Sequence, residues 1–203
     1  HRDLHSFPTR RSSDLLTLAQ FDILWLADMH APGPQAEDWR QQLTSFVEAG
    51  GGVLQTWHHH VLADVGIGVR RVFDSRRMTV LEGHPALAGM AGFSASYKDH
   101  IVEQVGPQGT VLVQNEFGDP VVVVGEMGKG RVASTGLALA IAPNRPRDAE
   151  WDLVQRLLAW VAPTVAPAER FAGLGREARL SVVPQRRLVD RKSTRLNSSH
   201  RIR

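Results

Sequence analysis

Apolar residues come along this chain in short blocks of two different periods. Phe21–Asp28 (FDILWLAD) is a compact apolar run between polar residues, and its length and its Ile, Leu and Trp content predict a buried strand. Met29–Gln35 (MHAPGPQ) reads as a loop from its Pro and Gly content. From Ala36 to Ala49 the period changes: Trp39, Leu43, Phe46 and Val47 fall at i, i+4, i+7 and i+8, one face of a helix. Gly50 follows where a left-handed cap residue is needed, and Val53–Trp57 is a second apolar run. Strand, helix and strand joined by short loops form a crossover unit, which predicts that the two strands are parallel.

Further on the blocks shorten. Val61–Arg71 is ambiguous, because Gly66 and Gly68 oppose a long helix. Met78–Leu81, Ile101–Val105 and Val111–Asn115 predict brief strands, and Gly83-His84-Pro85 starts a loop or helical turn. Pro120–Glu126 and Arg131–Leu137 flank Met127-Gly128-Lys129-Gly130 and predict a β-hairpin with glycines in the turn. A last helix is predicted over Ala149–Val161. Trp151, Val154, Leu158 and Val161 share one face and Leu153, Leu157 and Trp160 widen it, so the helix is expected to be largely buried. The segment 164–189 reads as a linker or the start of a following domain, with Ala178–Val183 strand-like.

The charge balance needs correction for the two ends. Residues 1–15 (HRDLHSFPTRRSSDL) and 190–203 (opening DRKSTRLNSSH) resemble translated sequencing adapters, and are set aside as such. They hold eight of the 24 basic residues and three of the 21 acidic ones, leaving 16 and 18 between them. The net positive charge therefore sits in the tails, and a nucleic-acid or membrane-surface partner is not expected. Leu16–Val189 is long enough for one domain with a sizeable core. Cysteine is absent, which excludes disulfides, thiolate metal sites and a cysteine nucleophile from these residues.

The order of FDILWLAD, a helix, EAGGGVL, GHPAL, Asp99-His100, GDPVVVVGEMGKGRVASTGL and a helix rich in Trp resembles the class I glutamine amidotransferase-like superfamily, nearest its trehalose-utilisation (ThuA-like) branch. The resemblance spans Phe21–Pro163, within a domain placed at 16–163 and expected to be truncated at its N-terminal end. It implies an α/β fold: a flavodoxin-like three-layer α/β/α sandwich with a mostly parallel sheet and a β-hairpin near the C-terminal end. It also implies a link to disaccharide utilisation, with a small sugar or polyol as ligand. The amidotransferases of the superfamily carry a nucleophilic cysteine on a sharp turn here occupied by Gln55-Thr56-Trp57-His58, so glutaminase chemistry is not expected.

In an open α/β sheet, ligands collect at the carboxyl ends of the strands. The residues expected at that rim are Asp28 and His30 after the first strand, His58 and His60 after the second, and Asp99 from a later loop. His58 or His60 would act as base or ligand-binding group, and Asp28 or Asp99 would orient it. His30, Trp57, His84 and His100 would complete the ligand contacts. Two imidazoles and a carboxylate also suit a divalent ion, although no metal or other cofactor is assigned. Polar loop residues without chemistry are the alternative. Gly128-Lys129-Gly130-Arg131 lacks the spacer of a phosphate-binding P-loop and is read as a turn. Ser94 and Ser134 lie in no Gly-x-Ser-x-Gly elbow. Trp25, Trp57, Trp151 and Trp160 are read as core, with Trp57 also placed to stack on a sugar ring. The rival to a ligand-binding domain is a non-catalytic interaction module of a larger, membrane-anchored protein.

Overall fold

A computed structural model describes residues 18, 21–27, 35–58, 61–139, 148–163 and 180–184. The strands are β1 (Ile23–Ala27), β2 (Gly52–Thr56), β3 (Gly66–Val72), β4 (Arg77–Val80), β5 (Phe93–Ser94), β6 (His100–Val105), β7 (Thr110–Asn115), β8 (Pro120–Met127), β9 (Gly130–Thr135) and β10 (Leu180–Pro184). The helices are α1 (Gln35–Glu48) and α2 (Asp148–Val161). One sheet has the order β10-β1-β2-β9-β8-β7-β4-β5, and β3 and β6 form a separate ribbon.

This corrects the expected architecture. The chain is mostly β, with a mixed sheet and a second ribbon, and it is not a helix-rich flavodoxin-like three-layer sandwich. Only half of the large sheet is parallel: β10, β1, β2 and β9 run together, with Leu24 opposite Val53 and Leu54 opposite Ala133. From β9 onward each neighbour reverses, through β8, β7, β4 and β5. The physical reason lies in the connections. A parallel neighbour needs a long crossover, whereas an antiparallel neighbour needs only a turn. Between Val61 and Leu139 the described chain supplies turns such as Gly106-Pro107-Gln108-Gly109 and Gly128-Lys129, and no full α-helix. The strand expected near Ala178–Val183 occupies Leu180–Pro184 and pairs with β1 in this same sheet.

Alternation along the central strands divides the core between two faces. Leu24, Leu26, Val53, Val123 and Val132 point to one face, where Leu43, Phe46 and Val47 of α1 cover them. Trp25, Leu54, Val122, Val124 and Ala133 point to the other, beneath Leu153, Val154, Leu157 and Val161 of α2. Each large apolar side chain so covered contributes about 1.5–3 kcal/mol. The helices are amphipathic rather than engulfed: Trp39 is 42% exposed, and Trp151 is 49% exposed against the expectation that it is core, while Trp25 and Trp57 are buried. Gly50 takes φ 110° and ends α1, its N–H donating to the Val47 carbonyl (2.8 Å). The glycine hairpin is present, and its Lys129 N–H donates to the Glu48 carbonyl at the end of α1 (3.1 Å), so that group is not open to a phosphate.

The β3–β6 ribbon lies on the α1 face, beyond the end of that helix. Its inner contact is polar. Gln55 Nε2 donates to Ser134 Oγ (2.7 Å) and to the Gly66 carbonyl (3.3 Å), all buried. Ser134 is thus committed to structure. The ribbon's far end approaches the sheet so closely that the Ile101 N–H donates to the Gly136 carbonyl (2.9 Å), and a methyl group at Gly136 would overlap the Ile101 carbonyl.

Candidate functional site at the carboxyl rim

Ala27 of β1 lies opposite Thr56 of β2, and Thr56 lies opposite Thr135 of β9. Three parallel strands therefore end on one rim. Asp28, His30, His59 and His60 lie outside the described residues. What can be described begins at Trp57.

Trp57 takes φ 65°, a left-handed conformation that a bulky residue adopts at a cost of about 1–3 kcal/mol. The turn is held from three sides. Its N–H donates to the Thr135 carbonyl (2.9 Å). Its ring, 8% exposed, packs with Ile101 and Ala138, and meets Tyr97 with centroids 6.0 Å apart. The His58 ring stands edge-on to it at 5.1 Å. Over the ring, 5.4 Å from its centroid, lies the Arg71 guanidinium, which is also 4.9 Å from the exposed ring of Phe73. Arg71 Nη2 donates to Asp99 Oδ2 (2.6 Å). Asp99 is 4% exposed, and its Oδ1 has no hydrogen-bond partner.

Behind this pair sits His100, fully buried. Asn115 fixes its chemistry. Asn115 Oδ1 accepts from the Phe117 and Asp119 main-chain N–H groups, both at 2.9 Å, so its Nδ2 faces His100 Nε2 at 3.0 Å. Nε2 must therefore accept, and the proton of the neutral ring belongs on Nδ1. Burial lowers the His100 pKa from 6.5; the Ser75 carbonyl, Asp119 and Asp99 oppose that shift, and Arg70 adds to it. An imidazole whose basic nitrogen is occupied and buried is a structural group, not a free general base.

His84 is placed elsewhere. Its Nδ1 accepts from the Ala86 N–H (3.2 Å), capping a short 3-10 turn over Pro85–Leu87. Its ring meets Trp160 at 5.6 Å, with Arg131 and Glu126 as its charged neighbours. Burial is the largest cause of its lowered pKa, followed by Arg131. Arg131 lies near the start of β9 and Thr135 ends it, so the strand separates the His84 neighbourhood from the Trp57 rim by roughly 13 Å. The rim thus gathers Trp57, His58 and Asp99, backs them with His100, and leaves His84 out. Arg71, Tyr97 and Asn115 belong to it without having stood out in the sequence. Asn115-x-x-Gly118-Asp119, a turn signature, was the one legible signal among them.

Chemically the rim offers a paired cation and carboxylate beside aromatic rings, and the second carboxylate oxygen is buried. Among the described residues no three His, Cys, Asp or Glu side chains converge as metal ligands, and no helix is long and apolar enough to cross a membrane.

No protein-family model matches the chain, and no curated protein does. Solved structures are similar. Cytoplasmic protein STM1381 from Salmonella typhimurium LT2 aligns with a TM-score of 0.59 at 17% identity, covering 73% of this chain and 75% of that one. Cytoplasmic protein STM3548 from Salmonella typhimurium aligns at 0.58 and 18%, covering 79% and 78%. The mmIFT52 N-terminal domain aligns at 0.54 and 12%, covering 75% and 82%. At such identities the likeness is one of fold alone.

Proposed function

We propose that this chain is a ThuA-like binding domain, without glutaminase activity, that holds a small sugar or polyol at the rim beside Trp57. The observation carrying this reading is the left-handed backbone of Trp57 at the end of a central parallel strand, next to a buried carboxylate paired with Arg71. Strain of that kind persists where the surroundings over-determine it, and binding sites are such places. The part-exposed Arg71 guanidinium, held in place by Asp99, supplies donors that suit hydroxyl oxygens. The ligand does not stack on Trp57, whose ring is covered by Arg71; the exposed ring of Phe73 offers the apolar face instead.

The test is calorimetric titration with trehalose, myo-inositol and glycerol, on the wild type and on His58→Ala and Arg71→Lys. Millimolar binding of at least one compound is expected, weakened about tenfold in each variant, or about 1.4 kcal/mol. No heat from any of them, or equal binding by all three proteins, overturns the reading. A second reading, an interaction module, is favoured by the exposure of Val69 (49%), Phe73 (63%) and Phe117 (68%) on and beside the outer ribbon. Sugar binding that survives Phe117→Ser separates the two.

A further inference from the structure

We infer that the β5 margin of the large sheet takes up an extended acidic peptide along a trough beside β4 and β5. The trough has a volume of about 810 Å³ and follows two consecutive stretches of chain, Arg76–Val80 and Gly92–Ser94. β5 ends the strand order and is two residues long. It pairs Ser94 with Arg77 and Phe93 with Met78, and among the described strands none lies on its outer side. Main chain that lacks a neighbour on its outer side is a template for one more strand.

The charges say which strand. Arg76 and Arg77 are both exposed, and among the described residues neither has an ion-pair partner. Lys98, also on the trough wall, is held by Asp74 at 2.7 Å, leaving Glu116 as the single opposing acid. Two uncompensated guanidinium groups at the start of the strand favour an incoming chain with carboxylates at matching positions. The open, strand-long shape favours an extended segment over a small anion, which would leave most of the length empty. No glycine nest or helix N-terminus lines the trough to hold a free phosphate. This site shares no residue with the Trp57 rim, although Lys98 on its wall lies between Tyr97 and Asp99.

The experiment uses the whole chain and a short fluorescent peptide in which glutamate alternates with threonine. Fluorescence anisotropy is expected to saturate, to weaken with added salt, and to weaken about tenfold or more in the double variant Arg76→Glu/Arg77→Glu. Circular dichroism checks that this surface variant is folded, and hydrogen exchange at Phe93 and Ser94 is expected to slow when peptide is bound. A peptide N-methylated on alternate residues should not bind. The inference is overturned if anisotropy does not saturate, or if charge reversal leaves affinity unchanged. It is equally overturned if the N-methylated peptide binds as well, or if inorganic phosphate displaces the peptide at comparable concentration.

Discussion

Protonating His100 sets two donors against each other, and that conflict is measurable. Asn115 cannot turn its amide over to relieve it, because two main-chain N–H groups hold its Oδ1. The ring is therefore kept neutral in the fold, with its pKa below 6.5, burial being the main cause. In the unfolded chain the ring titrates near 6.5. The sign follows. Above that value both states are neutral and the contribution to stability is complete. As pH falls through about 6.5 the unfolded chain gains a proton that the folded one refuses, and stability drops by about 1.4 kcal/mol per pH unit until the folded pKa is reached. Urea unfolding at about pH 7.5 and about pH 5.5 reads this directly, with an expected loss from this group of up to about 1.4 kcal/mol. The control is His100→Gln, whose side-chain oxygen can accept from Asn115 without titrating. His84, also lowered, has the same sign and is present in both proteins, so it cancels in the comparison. If both proteins lose the same stability on acidification, or the wild type gains, the tautomer assigned to His100 is wrong.

Two further outcomes test the packing of the rim. Arg71→Ala leaves the buried Asp99 carboxylate without its charged partner; because Arg71 is itself 37% exposed, the expected cost is about 1–2 kcal/mol rather than the ~3–5 of a fully buried pair, and unchanged urea stability would refute the pairing. Gly136→Ala drives a methyl group into the Ile101 carbonyl and should lower stability by about 2 kcal/mol or more, with Tm as the readout; a neutral effect would mean that the ribbon does not sit this close.

The sequence exposed the parallel half of the fold because its signals are local. Gly50 ends α1, the loops are short, and the apolar run of β1 is unbroken while β2 carries Val53 and Leu54. The antiparallel half was visible only as separate strands. Nothing in Met78–Leu81 announces that β4 sits beside β7, more than thirty residues on. The β3 ribbon was the least legible element, since it is wet on one side: Val69, Arg70 and Arg71 are exposed in succession, and its pairing with β6 is shifted between Gly68 and Arg70. The same lack of local signal hid much of the rim. Trp57 and Asp99 were noticed for their chemistry. Arg71 matters because it reaches Asp99, 28 positions away, and such contacts leave no periodic trace.

The two outer margins of the large sheet are made at very different times. β1 is flanked by β2 on one side and by β10 on the other, and β10 is the last of the described strands to leave the ribosome. At ordinary translation rates the nascent chain holds one side of β1 bare for on the order of ten seconds while the intervening residues are added. For that interval the strand ILWLA, apolar throughout, presents its unpaired main chain to whatever neighbouring polypeptide is near.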